Sequence, residues 1–276
     1  MQGNASRWEE FKVLYQTPSE AALLNALAVR SFRNTGDQDY IAARMAMRAM
    51  LPVQFLWSGL QAVEKYLKCI LLLNKISSKG VGHDLDKALA LVNDSLPFNI
   101  TLSKDERQVF EHLAASKGDR YLVMSLHLFD WELPGLDSLV WRLRQYCEPL
   151  DVVHYNDSPS RELLEKNAAV INARLARGVK PEEGYIAHGL LEDILFNESS
   201  RAHEPLVWRN EMFGGNEPIK CPADGVGNFS AINSPLYLHP ENVRAVSELI
   251  VLPKEKQTIK EFEALAAERR AAKKQS

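Results

Sequence analysis

Arg120 and His127 are the residues of this chain best spaced to act together on one group. Seven apart on a helix, they would lie within about 20° of each other and about 10 Å apart along the axis, so both long side chains reach one phosphate. Asp119 is placed to cap that helix, and Arg120 then stands at its N-terminus, where free N–H groups and the helix dipole favour an anion. The residues around the pair are apolar nearly all round, as in a segment buried in a bundle or at a dimer interface. The same two residues have an equal structural use, with His127 satisfied inside a core and Arg120 paired with Asp119, Asp130 or a carboxylate of the long helix described below.

A second pair, Arg107 and His112, points about 140° apart on a helix, on opposite edges of the Val109, Phe110 and Leu113 stripe, which predicts a solvated helix edge. Glu64 and Lys68 are four apart with the acid first, and Trp57 lies one heptad before Glu64, which predicts a partly buried ion pair beside an indole. His83 reads as a helix-start residue packed against the long helix rather than as a base. His154, His188, His203 and His239 have acidic neighbours, but none forms an i, i+4 pair on a helix, so no metal site is expected. The chain has no Gly-x-x-x-x-Gly-Lys-Ser/Thr, Gly-x-Gly-x-x-Gly, His-Glu-x-x-His or Gly-x-Ser-x-Gly, which removes the usual motif-based arguments for an NTPase, dehydrogenase, zinc protease or hydrolase. No cofactor is expected.

Apolar residues recur at helical spacing through most of the first 150 positions, and the expected class is mainly α. Helices are predicted over about 7–15, 19–32 and 37–50, with Asn34-Thr35-Gly36 as a break between the last two. Pro52 suits the first turn of a long helix through Asn74, where its missing N–H costs nothing. On that helix Val53, Leu56, Leu60, Val63, Leu67, Ile70 and Leu71 form one stripe. Further helices are predicted over 84–92, over 104–115 behind the capping box Ser103-Lys104-Asp105-Glu106, and over 136–146. Beyond Asp151 helices are predicted over 161–175, 181–196, 241–249 and 255–274. Gly214, Gly215, Pro218, Pro222, Gly225, Gly227 and Pro235 crowd a turn-rich segment between them, with room for a short hairpin.

At 276 residues, with 46% hydrophobic and 25% charged residues, the chain has the length and balance for a sizeable buried core. The net charge of −3 is uneven. Residues 1–150 hold 17 basic and 17 acidic side chains, 151–253 hold 9 and 15, and 254–276 hold 7 and 4. Such a balance weighs against strong non-specific binding of duplex nucleic acid, and the basic end reads as a solvated helix. Cys69, Cys147 and Cys221 are an odd number without a Cys-x-x-Cys, as in a reducing compartment. The first residues lack an apolar run, and Ile70–Leu73 follows Glu64, Lys65 and Lys68 too closely for a membrane span, so a cytoplasmic protein is expected.

Asp37-x-Asp39-Tyr40-x-x-Ala43-Arg44, Gln61-Ala62-Val63-Glu64-Lys65-Tyr66-Leu67-Lys68, Gly82-His83-Asp84-Leu85 and Arg120-Tyr121 together resemble, in order and spacing, the HEPN family, the higher eukaryotes and prokaryotes nucleotide-binding domain. The resemblance covers roughly residues 36–150. It implies an antiparallel helical bundle, usually a homodimer, in a family that spans RNA-cleaving toxins, partners of nucleotidyltransferases and non-catalytic binding modules. Nuclease members carry an Arg followed after four to six residues by a His, commonly with a polar residue directly after the Arg. Arg120 and His127 meet the spacing, and Tyr121 departs from the polar follower in the manner of the binding-type members. The resemblance thus implies a nucleotide- or RNA-binding protein, with Arg120 and His127 as the catalytic pair of a metal-independent ribonuclease. In that reading Lys68, His83 and Tyr121 contact the nucleotide or RNA. The alternative is a non-catalytic dimerisation module that binds a partner protein. The expected organisation is N-terminal helices packing on the bundle (1–35), an HEPN-like helical domain (36–150), and a mostly helical, loop-rich C-terminal extension (151–276).

Overall fold

The computed structural model describes residues 20–116, 122–148, 161–177, 180–214, 229–252 and 254–275. These residues are mainly helical. Helix α1 (Glu20–Leu27) runs through a π-helical turn (Ala28–Arg33) into α2 (Asn34–Arg48) without the break expected at Asn34-Thr35-Gly36. The reason lies between helices. A Cβ on Gly36 would stand 3.1 Å from Tyr66 Cε1 and 3.4 Å from the Ala62 carbonyl oxygen, so this glycine serves the close approach of two helices rather than a turn. The chain then reverses through Met50, at φ 56°, into α3 (Pro52–Leu73), which begins at Pro52 as its fixed φ dictates.

Helix α3 is the centre of the bundle. Besides the expected stripe, of which only Val53 is half-buried, Phe55, Gly59, Ala62, Tyr66 and Cys69 are also buried, because the helix is packed on several sides by α2, α4 (Leu85–Ser95), α5 (Lys104–Ala115) and α6 (Glu132–Arg144). The Asp84 carboxylate caps α4 by accepting the Lys87 N–H at 3.1 Å. The capping box at α5 is complete: Ser103 Oγ accepts the Glu106 N–H at 3.3 Å, and Glu106 Oε2 accepts the Ser103 N–H at 2.7 Å. Helices α5 and α6 meet at Gly135, where an added Cβ would lie 2.6 Å from Val109 Cγ2.

Between α5 and α6 the expected helix through His127 is replaced by a strand, β1 (Leu126–Phe129). Leu122 adopts φ 53°, which ends any helical run there, and β1 pairs antiparallel with β2 (Phe229–Ile232), Leu126 opposite Ile232 and Phe129 opposite Phe229. No hairpin is involved; the two strands come from opposite halves of the chain.

Helix α7 (Arg161–Ala176) occurs nearly as expected. The helix expected over 181–196 is instead a 3-10 turn (Pro181–Gly184), a loop containing His188 at φ 56°, and the short α8 (Leu190–Leu195). The Glu192 carboxylate accepts the Ile186 N–H at 3.1 Å, and Gly184 lies so close to Trp141 that a Cβ would be 2.7 Å from its ring; these contacts fold the segment back on the bundle. After α9 (His203–Val207) and β2 come α10 (Pro235–Leu238), a 3-10 turn (Pro240–Asn242), α11 (Val243–Ser247) and α12 (Glu255–Gln275). The helix expected over 241–249 is therefore only a short one, whereas that over 255–274 is present. Val123, Leu236, Val243, Leu252 and Phe262 make a small second core there. The helix expected over 7–15 lies outside the described residues.

The main core draws on residues from both sides of position 150, and Ile171, Leu191, Leu206 and Phe213 belong to it. Buried charges tie the halves together. The Arg144 guanidinium donates to Asp37 Oδ1 at 2.9 Å and to both Glu192 oxygens at 2.7 and 2.8 Å, while Tyr66 donates to Asp37 at 2.7 Å. Arg44 donates to Asp137, to the Pro205 carbonyl at 2.9 Å and to the Trp208 carbonyl, and Tyr40 donates to Asp137 at 2.6 Å. Asp37, Tyr40 and Arg44, quoted above for the resemblance, are thus buried inside the protein. No helix among the described residues is long and apolar enough to cross a membrane.

Candidate functional site

His112, His127 and Glu132 converge from three elements. His112 lies in the last turn of α5, His127 on β1, and Glu132 opens α6, where a carboxylate suits the positive end of the helix dipole. Glu132 is buried, with its side chain 1% exposed; its Oε2 accepts His112 Nδ1–H at 2.6 Å and its Oε1 accepts the Phe129 N–H at 3.1 Å. An ionised carboxylate only accepts, so this contact puts a proton on Nδ1 and leaves Nε2 for other chemistry. The His127 ring stacks on His112 with centroids 5.0 Å apart and 13° between planes. Alternation along β1 accounts for the presentation: Leu128 points into the core, and His127 is exposed opposite the small, exposed Ala231. The rings continue from His127 to Phe129, edge-on at 5.3 Å, and from Phe129 to Trp131, stacked at 6.0 Å.

Arg120 and Tyr121 lie outside the described residues. With His127 on a strand, the helical convergence expected of Arg120 and His127 is not the geometry of this segment, and as an exposed residue His127 is not a core histidine. Arg107 is exposed, as the edge reading had it, but His112 is not solvated, being 18% exposed and held by Glu132. The histidines of the two candidate pairs meet each other.

Lys68 and His83 share one carboxylate. Glu64 is buried on α3; Oε1 accepts from Lys68 Nζ at 2.6 Å and Oε2 from His83 Nδ1 at 2.8 Å. The expected ion pair is present, and His83 packs against the long helix with its side chain 54% exposed. Cys69 and Cys147 are buried thiols, and Cys221 lies outside the described residues. Among the described residues no three His, Cys, Asp or Glu side chains are grouped to hold a metal.

Glu132 escaped sequence reasoning because its partner is twenty residues away on another helix. The only local signal was the alternation of His127, Leu128 and Phe129 just before it. No family model, no curated protein and no solved structure matches this chain.

Proposed function

We propose that this protein is an HEPN-like, cytoplasmic, homodimeric bundle that binds nucleotide or RNA and cleaves RNA without a metal, with His127 and His112 as its acid-base pair. The observation that carries the reading is the stack of exposed His127 on a histidine whose Nδ1 is fixed by buried Glu132. Imidazole both takes and gives a proton near neutrality. One ring takes the proton of a ribose 2′-hydroxyl as that oxygen attacks phosphorus; the other gives a proton to the departing 5′-oxygen as the P–O5′ bond breaks. The products are a 2′,3′-cyclic phosphate and a free 5′-hydroxyl. In this proposal Arg120 holds two non-bridging oxygens and stabilises charge developing on the phosphate, and Lys68, His83 and Tyr121 contact the bound RNA.

The test is cleavage of a labelled mixed-sequence RNA in EDTA by the wild-type protein and by Arg120→Ala, His112→Ala and His127→Ala. General acid-base catalysis contributes about 10²–10⁴-fold, and each histidine variant is expected to lose activity on that scale while staying folded. Absence of cleavage by concentrated wild-type protein, or activity indifferent to all three changes, removes the proposal.

A second reading, a non-catalytic dimerisation or partner-binding module, draws on a different surface. Leu249 and Val251 are each 86% exposed, and Ile250 lines an apolar cavity of about 290 Å³ with Leu122, Val123, Leu236 and Val246. Exposed apolar patches of this kind mark association surfaces. On this reading Leu249→Ser with Val251→Ser lowers the mass measured by light scattering and leaves the circular dichroism unchanged; an unaltered mass counts against it.

A further inference from the structure

The loop between α11 and α12 alternates in burial. Leu249 is 86% exposed, Ile250 43%, Val251 86% and Leu252 2%. Leu252 is anchored in the small second core, Ile250 turns to the apolar cavity, and the Leu249 and Ile250 N–H groups both donate to the Val246 carbonyl at 3.0 Å. The backbone is thus held so that two aliphatic side chains stand out in water, where a loop built only for solvent would carry polar ones. Cations follow at once. Lys254 lies three residues beyond Val251, within about 11 Å along the chain, and Lys256 and Lys260, four apart, share one face of the first turns of α12. All three lysines are exposed. Glu248 and Glu255 are the acids among them, while Arg244 and Glu263 neutralise one another at 2.5 Å. Residues 254–276, with 7 basic and 4 acidic side chains, carry +3 on a chain whose net charge is −3.

We infer that this tip docks on an anionic lipid bilayer, Leu249 and Val251 entering among the acyl chains while Lys254, Lys256 and Lys260 meet the headgroups. The inference deepens the partner-binding reading of this surface by naming the partner, and it is independent of RNA cleavage. Charge complementarity selects the bilayer. A cytoplasmic leaflet is anionic and attracts lysines near its surface, and it repels the acidic remainder of the chain, which turns this end toward it. The side-chain types agree. Protein interfaces draw their binding energy mainly from Trp, Tyr and Arg and need about 800 Å² per partner, whereas Leu and Val are under-represented in that role and two of them cover only a fraction of that area. Acyl chains ask for no directional contact, only for apolar surface to be taken out of water.

Co-sedimentation of the full-length protein is measured with vesicles of phosphatidylcholine alone and with vesicles containing about one third phosphatidylserine, at low and at physiological salt. Wild type is expected to bind the anionic vesicles at least about tenfold tighter than the neutral ones, and less tightly as salt rises. Leu249→Ser with Val251→Ser is expected to lose about tenfold or more, the scale of leaving two aliphatic side chains in water. Lys254→Gln with Lys256→Gln is expected to lose about tenfold or more as well, since each lysine near the surface contributes about fivefold. No binding of anionic vesicles by wild type, or full binding by either double variant, overturns the inference. Light scattering separates it from self-association: vesicle binding lost in the serine variant with the mass unchanged supports the bilayer and counts against a second copy. A mass lowered by the serine changes in a protein that never binds vesicles overturns the bilayer and leaves the second copy standing. Neither vesicle binding nor a change in mass overturns both. Where the serine variant fails to fold, the glutamine variant decides the matter.

Discussion

Glu132 carries two loads with one carboxylate, fixing the His112 ring through Oε2 and the turn after β1 through Oε1. Glu132→Gln keeps the size but offers only one acceptor. RNA cleavage is expected to fall by about tenfold or more, with a changed pH profile and an unchanged fold by circular dichroism; full activity in this variant means Glu132 does not position the ring. Buried charges respond differently. Arg144 is 1% exposed and is the shared partner of Asp37 and Glu192. Arg144→Met leaves two carboxylates buried without a cation, and a loss of about 3–5 kcal/mol is expected, read as a Tm lowered by about 10 °C. Burial pushes the Glu192 carboxyl up, but the hydrogen bonds and charge of Arg144 more than cancel this and hold it below its ordinary value. The unfolded chain therefore takes up this proton first, so the contribution of Glu192 is full above the ordinary carboxylate range and is lost as pH falls through its lowered value. The gap in Tm between wild type and Glu192→Gln should narrow from pH 7 to pH 3, and a constant gap refutes the linkage. Asp137 has the opposite sign: burial raises its carboxyl despite Arg44, one of its oxygens has no hydrogen-bond partner, and its contribution falls as pH rises through that raised value.

Helices α5 and α6 bring His112 and Glu132 together, and they meet over Gly135. Gly135→Ala favours helix by propensity, yet its methyl group would press on buried Val109 at 2.6 Å. A net loss of about 1–3 kcal/mol is expected in denaturant melts, together with weaker cleavage as the two side chains part; a stabilised variant shows that the crossing yields freely. Such crossings also mark where the sequence was legible. The long helix and α5 were readable because a proline, a stripe and a capping box are local signals, and Glu64 with Lys68 was readable because i, i+4 geometry is local too. Gly36 was misread because its reason, the ring of Tyr66, sits on another helix. Strand β1 was misread because four residues alternate too briefly to outweigh helical spacing, and its partner lies in the other half of the chain. Both histidines stand out in the sequence, each with a different arginine, but their contact with each other and the Glu132 carboxylate that holds His112 depend on tertiary contacts that no spacing encodes.

Across the whole molecule, residues between 181 and 214 pack into the main core. Glu192 completes the Arg144 cluster, Asn210 Nδ2 donates to Tyr40 Oη at 2.9 Å, and Leu206 and Phe213 are fully buried. A chain ended at residue 150 is expected to lose cooperative thermal unfolding, and a sharp transition in it would show that the first half folds by itself. The same interdependence has a consequence in time. Phe129 pairs with Phe229, about 100 residues later in the chain, and a ribosome adding about 5–20 residues per second needs about 5–20 s to supply that stretch. Until then β1 has no strand to pair with, and the ribbon that lays His127 on His112 does not exist. The proposed site is thereby completed only late in synthesis, and on the ribonuclease proposal this spares the message to which the growing chain is tethered.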